Sequence, residues 1–248
     1  MRITIAELQA KLSEVFGFDR FLEGQQEIIM HLLEGKHALA IMPTGSGKSL
    51  CYQLPALIFA NMSIVVSPMI SLMKDQVMQM RAIGVPTEMY NSSLSGEQQS
   101  AVLSRIKAGK VKLLYVAPET LLKEHFLKHL ENMQIDLIAI DEAHCISIWG
   151  HDFRPEYRQL KDILLRFPRA ICFALTATAT PKVRKDICTV MNIPTEHQFI
   201  QSFNRKNLLL MVEPKQEAFA KLLNFLKAHA DESGLIYCLT RKNVDNLT

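Results

Sequence analysis

The hydrophobic positions between residues 36 and 202 follow two alternating patterns. Short runs that are almost entirely apolar predict strands at 37–42, 63–67, 86–90, 111–117, 135–140, 170–176 and 198–202. Between these runs apolar residues recur every three or four positions, which predicts helices at 49–60, 70–83, 95–108, 119–131, 156–166 and 181–191. Strands without a polar alternation are typical of sheets covered on both faces. We therefore expect an α/β fold, with a mostly parallel sheet and helices on both of its faces.

The segments on either side of this core have other patterns. Residues 4–33 predict two short helices, and Thr4 with Glu7 has the spacing of a capping box. After Ser202 a polar link precedes a predicted strand at 208–212, a helix at 216–229, a strand at 235–239 and the start of a helix at Arg241. A single β-α-β unit buries too little surface to be stable alone. We therefore predict a first domain at 1–203 and, at 204–248, a link and the truncated start of a second domain.

A glycine-rich turn connects the first strand of the core to the next helix. Its residues are Thr44, Gly45, Ser46, Gly47, Lys48 and Ser49. Glycines admit positive φ, so successive backbone N–H groups can surround an anion, and the helix N-terminus adds partial positive charge. Lys48 is placed to reach nucleotide phosphates, and the Ser49 hydroxyl to bind Mg²⁺. The flanking strand and helix favour a phosphate-binding loop over an ordinary Gly-Ser-Gly turn with an exposed lysine, although Met42 stands where the loop pattern begins with glycine.

Polar motifs also follow four other predicted strands. They are Ser67-Pro68, Ala117-Pro118-Glu119, Asp141-Glu142 and Thr176-Ala177-Thr178. The carboxyl ends of parallel strands meet at one edge of a sheet, where such folds bind ligands. We expect Asp141 to hold Mg²⁺ and Glu142 to activate water as a general base, while His144 couples this site to another part of the protein. The alternative is a solvated acidic turn.

Aromatic and basic side chains alternate directly after these carboxylates. Trp149, Phe153 and Tyr157 are interleaved with His151 and Arg154. An aromatic face can stack a nucleic-acid base with about 1–3 kcal/mol, and arginine can pair with phosphate. The stretch therefore predicts a contact with nucleic acid. The alternative is an apolar lid packed on the core.

Composition limits the class of protein. The 248 residues are 48% hydrophobic and carry a net charge of +3, a mild excess that is compatible with a nucleic-acid partner but does not indicate one. No apolar run is long enough to span a membrane, and no signal peptide opens the chain. The five cysteines form no CxxC pair, so we expect a cytoplasmic protein with reduced cysteines and no zinc site.

Seven stretches together resemble the RecQ family of DNA helicases. They are 42–56, 65–77, 114–119, 141–157, 174–180, 202–208 and 234–238, and the resemblance runs from about Phe16 to the C-terminus. It implies an ATP-driven, Mg²⁺-dependent 3′→5′ DNA helicase with RecA-like motor domains, which acts in recombination and repair. The implied partners are single-stranded and partly duplex DNA, bound by a monomer. The implied DNA contacts are Ser67, Lys74, Trp149, His151, Phe153 and Arg154, and Gln25 is implied to contact adenine.

The chain departs from the family pattern in three respects. Leu22 stands where the family has an arginine that helps to hold adenine, and Lys206 replaces the usual proline of the link. The family's arginine finger, zinc cluster and winged-helix domain do not occur in these residues. We therefore expect the chain by itself to bind ATP weakly and not to unwind duplex DNA. Two alternatives stay open, a fragment that binds ATP and DNA without helicase activity and the motor domain of a related RNA helicase.

Overall fold

Seven parallel strands form one sheet in the computed structural model, which describes residues 3–202, 208–245 and 247. The strands are β1 (Ala38–Ile41), β2 (Met62–Val66), β3 (Thr87–Tyr90), β4 (Leu113–Val116), β5 (Ile135–Ile140), β6 (Ile171–Thr176) and β7 (Gln198–Ile200). Their order in the sheet is β3-β4-β2-β5-β6-β1-β7, and every pairing is parallel. The seven predicted strands of the core are thereby confirmed, with ends that differ by one or two residues.

Helices surround this sheet. They are α1 (Ile5–Phe16), α2 (Gln25–Leu33), α3 (Leu50–Ile58), α4 (Ile70–Ala82), α5 (Gly96–Lys107), α6 (Pro118–Leu121), α7 (Glu124–Leu130), α8 (Pro155–Arg166) and α9 (Pro181–Met191). Two 3₁₀ turns lie at Ala143–Ile146 and Thr195–His197. The capping box predicted for α1 is confirmed, because the Thr4 hydroxyl accepts from the Glu7 N–H at 3.2 Å and the Thr4 N–H donates to the Glu7 carboxylate at 2.7 Å.

The sheet has an apolar core on each face. Alternate residues of one strand belong to different cores, as Ile64 and Val66 pack in one cluster while Val65 packs in the other. Every residue of β2 is therefore buried, although successive side chains point to opposite faces. This double burial is the physical reason for the uninterrupted apolar runs, and it confirms the predicted α/β class.

One predicted helix is divided in two. The stretch 119–131 forms α6 and α7, with Lys123 in an extended conformation between them at φ −71° and ψ 123°. Leu121 and Phe126 are both fully buried. In a continuous helix, residues five positions apart point about 140° away from each other, since each residue turns the helix by about 100°. The break at Lys123 lets both side chains reach the same core.

The chain divides into two units, Met1–Phe203 and Asn204–Thr248. In the second unit the described residues form α10 (Ala218–Ala228), close to the predicted helix, and α11 (Arg241–Asp245), which begins where predicted. The strands predicted at 208–212 and 235–239 are wrong, since neither range is in strand conformation. Their side chains are open to solvent, with Val212 97% exposed. A strand requires a neighbour for its backbone hydrogen bonds, and the described part of this unit supplies none. Its assignment as the start of a second RecA-like domain stays a prediction.

None of the helices among the described residues is long and apolar enough to cross a membrane.

Candidate nucleotide and nucleic-acid site

Backbone hydrogen bonds continue past the strand ends and gather the predicted motifs at one edge of the sheet. The Met42 N–H donates to the Thr176 carbonyl at 3.0 Å, and the Asp141 N–H donates to the Val66 carbonyl at 2.8 Å. The Ser67 N–H donates to the Val116 carbonyl at 3.2 Å. The glycine-rich turn, Asp141-Glu142 and the residues after β6 therefore share this edge, as parallel pairing predicts.

The glycine-rich turn has the backbone of an anion-binding loop. Gly45 and Gly47 have φ of 82° and 72°, the left-handed region that favours glycine. Lys48 lies across the turn, and its ammonium donates to the carbonyl oxygens of Met42 at 3.1 Å and Pro43 at 3.3 Å. Ser49 lies at the N-terminus of α3. The loop thus presents a cation, a hydroxyl and the positive end of a helix at one place.

Met42, the position where the loop pattern begins with glycine, is accommodated by the core. Its side chain is fully buried, and its sulfur lies 3.8 Å from the Cys51 sulfur on α3. The methionine therefore packs beneath the loop and does not occupy the space above it. This placement explains how the loop keeps its shape without that glycine.

Gln25 ties α2 to the loop. Its side chain is only 2% exposed, and its amide nitrogen donates to the carbonyl oxygens of Ser46 and Gly47, both at 3.1 Å. Its amide oxygen accepts from the Leu22 N–H at 2.8 Å. The carboxamide therefore supports the loop through the backbone, a role that the sequence did not indicate. The implied contact between Gln25 and adenine stays a prediction.

Asp141 and Glu142 are adjacent carboxylates in different environments. Burial raises the pKa of Asp141 to about 6, and the neighbouring Glu142 carboxylate adds to this effect. The Glu142 N–H donates to the Asp141 carboxylate at 2.9 Å, and this hydrogen bond partly offsets the rise because it lowers the pKa of Asp141. In contrast, a hydrogen bond with His144 holds the pKa of Glu142 below its usual value. Glu142 also has a left-handed φ of 50°, a conformation that costs a non-glycine residue about 1–3 kcal/mol.

His144 connects this acidic pair to two other elements. Its Nδ1 lies 3.2 Å from the Glu142 carboxylate and 2.8 Å from the Thr176 hydroxyl at the end of β6. Since an ionised carboxylate only accepts hydrogen bonds, we assign the proton to Nδ1 of His144, and the Thr176 hydroxyl then accepts from the same nitrogen. The His144 ring also stacks on His151, with 4.0 Å between ring centroids. A continuous set of contacts therefore joins the carboxylates to the aromatic stretch.

The aromatic stretch has one buried member and two exposed ones. Trp149 is 57% exposed and Phe153 39% exposed, while Tyr157 is fully buried. The Tyr157 hydroxyl donates to the Asp141 carbonyl at 3.0 Å, so this residue anchors the start of α8 beneath the carboxylates. The expectation that Tyr157 presents a face to nucleic acid is wrong, because its ring is buried. Tyr157 packs on the core, as the alternative interpretation of this stretch expected. Arg154 pairs with Asp152 at 2.9 Å.

The remaining predicted DNA contacts differ in accessibility. Lys74 is exposed on α4. Ser67 is buried, and its hydroxyl has no hydrogen-bond partner within the described ranges. The implied contact of Ser67 with DNA stays a prediction, and the structure does not bring its side chain to the surface.

Gly150 is a site residue that the sequence reasoning missed. A Cβ at this position would overlap the carbonyl oxygen of His144, so only glycine lets the loop fold back on the 3₁₀ turn. The available signal was a lone glycine between Trp149 and His151. This close approach holds the aromatic stretch against the residue that contacts Glu142.

Comparison with known proteins places this site in a family. A family model described as DEAD/DEAH box helicase matches residues 22–187. The chain belongs to the DEAD/DEAH box helicase family.

Two curated relatives show which helicases of this family the chain is similar to. The chain is 46% identical over 236 residues to the ATP-dependent DNA helicase RecQ of Haemophilus influenzae, covering 95% of this chain and 38% of that protein. It is 42% identical over 242 residues to the ATP-dependent DNA helicase RecQ of Bacillus subtilis, covering 96% of this chain and 41% of that protein. The resemblance to RecQ helicases is thereby confirmed, and the chain spans less than half the length of these relatives.

A solved structure shares the fold. The DUF1998 helicase MrfA bound to DNA and AMPPNP matches with a TM-score of 0.64 at 20% identity, covering 90% of this chain and 34% of that chain. At this identity the likeness shows the fold alone. It confirms the predicted α/β fold with a parallel sheet.

Proposed function

We propose that this chain is the ATP-binding motor part of a RecQ-type 3′→5′ DNA helicase that acts in recombination and repair. The observation that carries the proposal is the continuous set of contacts at one sheet edge. It leads from Glu142, at the sheet edge that also carries the phosphate loop, through His144 to His151, which belongs to the same stretch as the exposed Trp149. A motor requires such a connection, since hydrolysis at one site must respond to a nucleic acid at another.

The residues at the edge suit a nucleotide with Mg²⁺. Asp141 is a half-buried carboxylate whose raised pKa indicates that nearby groups do not fully stabilise its charge. Mg²⁺ is commonly bound through one or two carboxylates, a hydroxyl, water and the substrate's phosphates, so Asp141 and Ser49 are a sufficient protein contribution. The bound ion would neutralise charge on the phosphates. Lys48 and the N–H groups of the loop at Gly45 and Gly47 would hold those phosphates.

Glu142 and His144 have different roles in activating water. Glu142 stays ionised at neutral pH, because its hydrogen bond with His144 lowers its pKa. An ionised carboxylate can accept a proton from water, so we assign Glu142 as the general base. His144 holds the orientation of that carboxylate through Nδ1, and Thr176 fixes the imidazole in turn. Because His151 stacks on His144, a shift of the His151 ring would reach Glu142 through His144.

The proposed nucleic-acid contacts are the exposed side chains Lys74, Trp149 and Phe153 and the half-buried Arg154, with His151 linking the aromatic stretch to the site. Single-stranded and partly duplex DNA are the proposed partners, and we propose a cytoplasmic monomer. Support comes from the exposure of these side chains and from relatives named as DNA helicases. An RNA partner is the competing assignment.

Hydrolysis of Mg·ATP with and without single-stranded DNA tests the proposal. Lys48→Ala should abolish nucleotide binding or turnover, because it removes the cation that lies across the loop. Lys161→Ala, an exposed lysine of α8, is the matched control and should behave like the unmodified chain. Unchanged nucleotide affinity and unchanged turnover in Lys48→Ala would overturn the assignment. DNA and RNA strands of one sequence, compared as activators, decide the partner.

A further inference from the structure

The indole ring of Trp149 is covered by a lysine from a distant part of the chain. The Lys182 ammonium lies 3.0 Å from the ring centroid, well within the distance of a cation–π contact. Trp149 belongs to the aromatic stretch, whereas Lys182 lies in the first turn of α9, just after the residues that follow β6. The contact therefore closes a second bridge between the two segments that His144 and Thr176 already join.

Few groups near Lys182 can stabilise the positive charge of its ammonium. The first turn of α9 contains no acidic residue, and the positive end of a helix repels an ammonium group. Among the described residues no carboxylate lies within 4 Å of this ammonium. The ring face of Trp149 is the compensating contact.

We propose that Lys182 occupies the face of Trp149 on which a nucleic-acid base would stack, so that a single strand must displace this lysine to engage the loop. The inference rests on the proposed function and names a positioning residue for it. Stacking of a base is stronger than an exposed cation–π contact, so the exchange is favourable once a base arrives. Lys182 therefore competes with a base for the Trp149 ring, and its presence weakens the binding of a single strand.

The DNA-free protein provides the first test, because Trp149 is the only tryptophan of the chain. Its emission and its quenching by acrylamide report the ring environment without any assay of activity. Lys182→Gln should change both, since it uncovers the ring, and Lys182→Arg should restore them. Lys185→Gln, three residues further along α9 and exposed, should leave both unchanged. Identical emission and quenching in Lys182→Gln and Lys185→Gln would overturn the proposal.

Binding of a labelled single-stranded oligonucleotide, followed by anisotropy, provides the second test. Lys182→Gln and Lys185→Gln each remove one positive charge, so both variants should lose the same amount of non-specific attraction to the phosphate backbone. Without the competing contact, Lys182→Gln should bind about two- to five-fold more tightly than Lys185→Gln. Equal affinities of the two variants, or weaker binding by Lys182→Gln, would overturn the proposal that a base displaces Lys182. The proposed function would still stand in that case, provided that the wild-type chain binds the oligonucleotide. Failure of the wild-type chain to bind any single strand would overturn both.

Discussion

Replacing Asp141 with asparagine should stabilise the fold while removing the proposed function. The pKa of this carboxyl rises from 3.8 to about 6, chiefly because burial penalises its charged form. The folded protein therefore binds the proton more tightly than the unfolded chain does. The contribution of Asp141 to the free energy of unfolding is fully present below pH 3.8, and it is lost as the pH rises through about 6.

The magnitude follows from the same difference. Roughly two pH units correspond to about 3 kcal/mol, since each unit is worth about 1.36 kcal/mol. Asparagine has nearly the same shape, carries no charge and keeps an oxygen that can accept from the Glu142 N–H. At pH 8 we expect Asp141→Asn to raise the free energy of unfolding by about 2–3 kcal/mol and the melting temperature by about 5–10 °C.

The assay is denaturant unfolding in EDTA, followed by circular dichroism between pH 8 and pH 4. The advantage of Asp141→Asn should be constant above pH 6 and should decline steadily as the pH falls towards 3.8. Asp162→Asn, at an exposed position of α8, is the control and should change stability by less than about 0.5 kcal/mol at any pH in this range. Loss of stability in Asp141→Asn at pH 8, or a gain independent of pH, would refute the reasoning. Activity with Mg·ATP should fall to background, because the proposed ligand of Mg²⁺ is gone.

Three further changes test other contacts of the site. Tyr157→Phe removes the buried hydrogen bond to the Asp141 carbonyl, so the free energy of unfolding should fall by about 0.5–1.5 kcal/mol in denaturant titrations, and an unchanged value would contradict this role. Gly150→Ala should reduce stimulation of ATP hydrolysis by DNA more than nucleotide affinity, because its Cβ would displace the His144 carbonyl; equal losses of both would indicate general damage. Gln25→Ala frees the carbonyls of the phosphate loop and should weaken binding of a fluorescent nucleotide, whereas Gln26→Ala, the neighbouring position, should not.

Local pattern in the sequence was sufficient for the strands of the first unit. The apolar runs indicated the strands because both faces of the sheet are covered, as the burial of every residue in β2 shows. Parallel order then implied that Lys48 and Asp141 lie at the same edge, since each follows the carboxyl end of a strand. Such inferences succeed because the period of burial and the direction of a strand are properties of neighbouring residues.

The same pattern was insufficient in the second unit. The apolar stretches at 208–212 and 235–239 have the composition of strands, but neither is a strand in the described residues. A strand is stabilised by hydrogen bonds to another strand, so its formation depends on a partner and not on its own side chains alone. Composition therefore indicated that these two stretches can form strands, but the described residues of this unit do not form them.

Only the tertiary structure decided how the side chains of the site meet. Tyr157 and Trp149 belong to one aromatic stretch, but one is buried beneath Asp141 while the other is exposed under Lys182. Gln25 likewise supports a loop more than twenty residues away in the chain. These outcomes depend on distances between segments far apart in sequence, which the packing of helices against the sheet determines. Sequence thus specified which chemical groups reach the edge of the sheet, and folding specified which of them are exposed and which hold the others in position.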